Sequence, residues 1–147
     1  MSHALALNGS CHCGAIRVAF MPSVPPAELP LRACQCGFCR RHGARTTSDA
    51  RGSLHVTAAP GDIGRYRFGR RAVDAVMCRE CGCYIGSFLT LKEGVIGTLN
   101  VTGTDLEGFA GRVADPIAYD DESDEDRLAR RKAKWTPTIL VEATPSA

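Results

Sequence analysis

The stretch Cys34-Gln35-Cys36-Gly37-Phe38-Cys39-Arg40-Arg41-His42-Gly43 gathers three thiols, two arginines and a histidine into ten residues. Thiols this close together belong either to a metal site or to a redox device. Two further groups bear on the choice, Cys11-His12-Cys13 and Cys78-Arg79-Glu80-Cys81-Gly82-Cys83, and with them all eight cysteines of the chain are placed. C-x-C and C-x-x-C spacings suit a shared ion better than separate cross-links. The opening residues carry an Ala4-Leu5-Ala6-Leu7 patch without a basic flank. No export signal is therefore expected, and a cytoplasmic, reducing compartment would not maintain structural disulfides. No βαβ pattern of the thioredoxin kind surrounds either C-x-x-C, which weakens the redox reading.

Working outward, Ile16, Val18 and Phe20 alternate with Arg17 and Ala19, the period of a half-buried strand. The proline-rich stretch 21–30 is a surface connection into the central thiols. Leu54 to Thr57 is a short strand. Arg65 to Phe68 and Ala72 to Met77 form a hairpin across Gly69-Arg70-Arg71, which delivers the third cysteine group. Tyr84 to Leu91 and Val95 to Leu99 form another strand pair, in which Gly86 and Gly97 mark bulges or close backbone approach. Thr138 to Glu142 is read as an edge strand. The fold class is thus mainly β, with several short antiparallel strands.

The exception lies at 120–134, where six acids (Asp120, Asp121, Glu122, Asp124, Glu125, Asp126) precede five bases (Arg127, Arg130, Arg131, Lys132, Lys134). Ser123 with Asp126 resembles a capping box, and the charge order opposes the helix dipole. One short C-terminal helix is expected here, solvated on the surface and carrying an Asp126–Arg130 pair. The chain reads as a single zinc-binding domain over 1–147, with a motif core at 9–100, this surface helix, and a frayed tail at 143–147. A length of 147 residues supports one core. A net charge of +2 gives no reason to expect nucleic acid. No apolar run approaches the ~20 residues of a membrane span.

The thiols divide by spacing. Cys11, Cys13, Cys78 and Cys81 suit a closed, structural zinc, with Gly14 and Gly82 permitting tight ligand turns. Cys34, Cys36 and Cys39 then remain as three ligands of a second, catalytic zinc whose fourth position is left for water or substrate. About two zinc ions per chain are expected on this partition. Three thiolates on the dication leave a charge of about −1, which Arg40, Arg41 and His42 can offset. Arg40 and Arg41 are also candidates for an anionic substrate, and His42 for a ligand or a proton carrier. His12 is expected to face solvent, and Arg65, Arg67, Arg70 and Arg71 to lie on an exposed strand face. Cys83 keeps a second possibility open, because an eighth thiol would allow two closed four-thiolate sites.

The blocks Gly9-Ser10-Cys11-His12-Cys13-Gly14-Ala15-Ile16, Cys34 to Ala44, and Cys78-Arg79-Glu80-Cys81-Gly82 resemble the pattern of glutathione-dependent formaldehyde-activating enzymes, a family that includes centromere protein V. The resemblance implies a tent-like β fold with a structural zinc on Cys11, Cys13, Cys78 and Cys81 and a catalytic zinc on Cys34, Cys36 and Cys39. It also implies carbon–sulfur lyase chemistry on adducts of a small thiol such as glutathione with an aldehyde, S-hydroxymethylglutathione among them. Two departures stand out: Val73 to Met77 replaces an arginine and an aromatic residue common before the third block, and Leu99-Asn100 replaces a common Leu-Asp pair. A non-catalytic zinc-binding scaffold is the alternative function.

Overall fold

Alternating side chains build the first hairpin: β1 (Leu7–Ser10) lies antiparallel to β2 (Ile16–Met21), with Leu7 opposite Phe20 and Ser10 opposite Arg17. The computed structural model describes residues 5–142; the expected tail at 143–147 lies outside them. In β2 the buried residues are Ile16, Val18 and Phe20, as the alternation predicts. The proline stretch contributes a single 3₁₀ turn, Pro26–Glu28, and leads into buried Leu29 and Leu31. Then come β3 (Arg32–Cys34), α1 (Gly37–His42), β4 (Thr46–Thr47) and β5 (Ser53–Ala58). β5 pairs with β2 and buries Leu54, Val56 and Ala58.

The second half begins with an antiparallel run of four strands: β6 (Ile63–Tyr66), β7 (Asp74–Cys78), β8 (Tyr84–Leu91) and β9 (Gly94–Asn100). Gly97 sits directly across from Phe88, whose ring occupies the space a Cβ would need, and Gly86 lies against the Thr98 carbonyl beside a register shift in the β7–β8 pairing. Close approach at these two glycines is therefore what the sequence indicated. The chain continues through α2 (Val101–Thr104), β10 (Asp115–Ile117), α3 (Asp124–Lys134) and β11 (Thr136–Glu142).

All eleven strands join in one mixed sheet, antiparallel apart from the β3–β10 and β5–β11 pairs. One expectation is corrected here. The last strand is not an edge: Thr138 to Glu142 runs parallel to β5, and Thr136 to Thr138 pairs with β9. Local pattern could not show this. β4 covers only Leu99 and Asn100 of β9, and the early part of β9 takes the C-terminal strand as its partner instead. Among the described residues no helix is long and apolar enough to cross a membrane.

The main core contains Ile16, Phe20, Leu54, Ile85 and Leu99, and runs up to buried Cys11 and Cys78. A smaller cluster of Ala44, Ala75 and Tyr84 backs Phe38, Cys39 and Phe68. The four-thiol and three-thiol groups thus rest on separate apolar clusters. The Asn100 side chain, buried, joins the second half to the central segment. Its Oδ1 accepts from the N–H groups of Arg45 (3.1 Å) and Thr102 (3.3 Å), and its Nδ2 donates to the Tyr84 carbonyl at 2.9 Å. Removing it strands buried backbone groups on three segments. Asn100→Ala is expected to destabilise the fold by about 2–4 kcal/mol, a fall in melting midpoint on the order of 10 °C. A thermal melt followed by circular dichroism checks this, and a midpoint unchanged from wild type would contradict it.

Candidate metal centres and the cavity beside one of them

Cys11 follows β1, Cys13 lies in the turn before β2, Cys78 ends β7, and Cys81 lies in the turn before β8. Their four Sγ atoms all fall within 4.8 Å of one another. The separations Cys11–Cys13 and Cys13–Cys78 are 3.7 and 3.6 Å. Thiolates arranged tetrahedrally about 2.3 Å from a central ion stand roughly 3.8 Å apart, so the donor set has the size such an ion requires. Gly14 and Gly82 adopt φ of +83° and +81°, and their N–H groups close turns onto the carbonyls of Cys11 and Cys78. The Ile16 N–H points at Cys11 Sγ at 3.3 Å. The Cys83 N–H beside Cys81, helped by that of Cys13, draws the Cys81 thiol down to about 5, while burial pushes Cys78 up to about 12. One thiolate is thus favoured chiefly by backbone N–H groups.

The other group is built by a strand end and a helix start. Cys34 closes β3, Cys36 is the N-cap of α1, and Cys39 lies in its first turn. The Cys36 sulfur accepts the Cys39 N–H at 3.3 Å, the position a serine or aspartate oxygen usually takes. The three Sγ atoms lie within 4.8 Å of one another and are half-buried. Hydrogen bonding to Cys39, with Arg130 adding positive charge nearby, draws Cys34 down to about 6. Sharing that bond with Cys34, and burial, push Cys39 upward. Among the described residues no fourth thiol joins this group. Cys83 belongs to neither set; it packs against the main core with its thiol beside Cys81.

Cys34, Cys36 and Cys39 form part of the wall of a cavity of about 420 Å³, within the ~300–1,000 Å³ range of small-molecule sites. Phe68, Val73 and Trp135 give it apolar surface. The Tyr84 hydroxyl lies 2.5 Å from Ser87 Oγ. Burial, and then the nearby thiols, push that hydroxyl upward, so it stays protonated as a donor.

The remaining sequence candidates are distributed differently. Arg40 and Arg41 are exposed, and donate at 3.1 Å to the carbonyls of Gln35 and Gly37 respectively. They are absent from the lining of the large cavity; Arg40 instead borders a shallow groove with the outer side of Cys34 and Cys39. His42 is exposed and packs against Phe38 in a tilted arrangement, with ring centres 4.5 Å apart. His12 is exposed, as expected. Arg65 and Arg67 reach Asp74, and Arg70 pairs with Asp124 while lining the cavity.

The C-terminal helix forms, capped by the Ser123 side chain on the Asp126 N–H at 3.1 Å. It is not wholly a solvated surface helix, however: Arg127, Arg130 and Arg131 line the cavity. The expected Asp126–Arg130 pair does not form. Arg130 forks onto Glu122 at 2.7 and 3.0 Å and covers the Tyr119 ring at 3.8 Å. Arg127 shares Glu122 at 3.5 Å. A bidentate carboxylate before the helix outcompetes a single exposed contact on the helix surface. The signal was present in the sequence: arginines at i, i+3 and i+4 share one face, on a helix with no apolar stripe to dock it.

Two comparisons bear on this arrangement. A sequence model of the family described as glutathione-dependent formaldehyde-activating enzyme matches residues 6–105. The crystal structure of a Rhodobacter sphaeroides protein is similar to this chain at 29% identity and a TM-score of 0.58, covering 75% of this chain and 99% of the other.

The Glu122 clamp has a measurable signature. Arg130 beside it, followed by Arg127, holds the Glu122 carboxyl below the usual carboxylate range. A group depressed in the folded state contributes stability above its unfolded value, about 4.3, and loses it as pH falls through the folded value. Glu122→Gln is therefore expected to lower stability at pH 7 by about 1–2 kcal/mol and to flatten the acid limb. Denaturant unfolding of both proteins between pH 7 and pH 3 checks this; parallel curves would exclude the clamp as a source of acid sensitivity.

Proposed function

This chain belongs to the glutathione-dependent formaldehyde-activating enzyme family, and from that membership we propose a zinc-dependent carbon–sulfur lyase acting on thiol–aldehyde adducts such as S-hydroxymethylglutathione. Cys11, Cys13, Cys78 and Cys81 would hold a structural zinc, and Cys34, Cys36 and Cys39 a catalytic one. The observation that carries the proposal is that the three-thiol group lines the 420 Å³ cavity, whose wall includes none of Cys11, Cys13, Cys78 and Cys81. A closed metal module serving only as scaffold has no need of it, so the cavity favours the enzyme over the scaffold reading.

Zinc held by the three thiolates would supply a positive centre that keeps an incoming thiol deprotonated. The chain's own groups account for the rest. In adduct formation the thiol S–H adds across the aldehyde C=O: a C–S bond forms, the C=O π bond is lost, and the proton ends on oxygen. Cleavage is the reverse, and neither direction involves a net oxidation. Tyr84, protonated and braced by Ser87, is placed in the cavity wall to donate to that oxygen. Phe68, Val73 and Trp135 restrict water around the reacting carbon. Because a thiol adds readily to an aldehyde unaided, the advantage lies in positioning and in stabilising the thiolate. Arg40, Arg41 and His42 do not line the cavity and are given no step in this proposal.

Purified protein is expected to carry about two zinc ions per chain. Cys39→Ala should lose one ion, keep its fold, and slow catalysed exchange between glutathione, formaldehyde and their adduct on the order of a hundredfold. Cys78→Ser should lose the other ion and much of the stability. Metal analysis, thermal melts and magnetisation-exchange NMR measure these. A wild-type exchange rate equal to the spontaneous one, with glutathione and every aldehyde tried, would eliminate the lyase.

A further inference from the structure

The α3 wall lies outside residues 6–105, the span the family shares, and it concentrates positive charge on the cavity. Arg127, Arg130 and Arg131 line it together with Arg32 of β3 and Arg70. Their partners differ. Arg130 and Arg127 are satisfied by Glu122, and Arg70 by Asp124. Among the described residues, Arg131 and Arg32 have no carboxylate within salt-bridge distance. Arg131 lies 5.1 Å from the centre of the buried Trp135 ring, and its Nε is buried with no acceptor among the described residues. Among the described residues the Arg32 side chain donates only to Ser48 Oγ, at 3.1 Å.

Arg131 is also only partly relieved electrostatically: burial, followed by the charges of Arg130 and Arg127, brings it down to about 10. A desolvated guanidinium with an idle donor, crowded by like charges, is stabilised when an anion arrives. The acid in the lining, Asp120, is exposed and pairs with neither. Position adds a further constraint. Arg32 and Cys34 alternate along β3 and so share a face, with Cα atoms about 7 Å apart. An anion held by Arg32 is then one small molecule's length from the three thiols.

We propose that Arg131 and Arg32 form a carboxylate subsite in this cavity, so that the C-terminal helix, and not the shared cysteine motifs, selects a reactant bearing a carboxylate. Naming that ligand a reactant rests on the lyase reading; the anion contact itself does not. The carboxylate can arrive on the thiol, as in glutathione, or on the aldehyde, as in a 2-oxo acid.

Calorimetric titration of the protein as purified, with its metal, separates these cases. The probes are S-methylglutathione, its diethyl ester, and glyoxylate. S-methylglutathione or glyoxylate should bind wild type about ten- to hundredfold more tightly than Arg131→Gln, with Arg131→Lys between them and Lys132→Gln like wild type. Loss of binding on esterification assigns the carboxylate to the thiol; an Arg131-dependent glyoxylate site assigns it to the aldehyde. Equal affinity in wild type and Arg131→Gln for both acids overturns the subsite, as does an equal loss in Lys132→Gln. If Arg131→Gln does not fold, Arg32→Gln is judged by the same ligands and criteria. Arg131-dependent binding without catalysed exchange would remove the lyase and leave the subsite, whereas catalysed exchange indifferent to Arg131 would do the reverse.

Discussion

The convergence of Cys11 and Cys13 with Cys78 and Cys81 is the joint on which the rest of the molecule depends. Cys13 and Cys78 are 65 positions apart in the chain, yet their sulfurs lie 3.6 Å from one another. The joint fixes the turn before β2 against the end of β7, and both sit on the main apolar core through buried Cys11 and Cys78. Closing so long a loop at its ends removes much of the freedom of the unfolded chain. With that loop closed, β7 and β8 are held where Tyr84 supports the smaller core behind Phe38 and Cys39.

The two cysteine groups are chemically alike and differ in surroundings. Four thiols around one point complete a coordination shell and leave nothing for a ligand to do. Three thiols displayed by a strand end and one short helix do not, and all three line the cavity. Cys36 acts as the N-cap of the helix that also carries Cys39, so the geometry of this group and the stability of α1 are one interaction.

Charge completes the site from a distant part of the sequence. Glu122 pairs with Arg127 and Arg130 and ties α3 to the segment before it, leaving Arg131 and Arg32 at the cavity without an acidic partner among the described residues. An arginine-rich wall beside a thiolate group lowers the cost of gathering negative sulfur there, visible in the contribution of Arg130 to the Cys34 shift.

The grouping of the thiols was legible in the sequence, because C-x-C and C-x-x-C spacings are local and bring neighbouring sulfurs together. The strands holding them were legible for the same reason, since the alternation of Ile16, Val18 and Phe20 fixes which side is buried without reference to any partner. What occupies the far side of the cavity was not. The 120–134 stretch has the composition of a solvated helix, and its arginines read as surface charge until Trp135 is buried and β11 is inserted between β5 and β9. Strand order and helix placement are set by long-range pairing energies that no short window contains. The sequence by itself determined the thiol groups and their local turns; only the tertiary structure decided that Cys83 stands apart from the three-thiol group and that the basic face of α3 lines the same cavity.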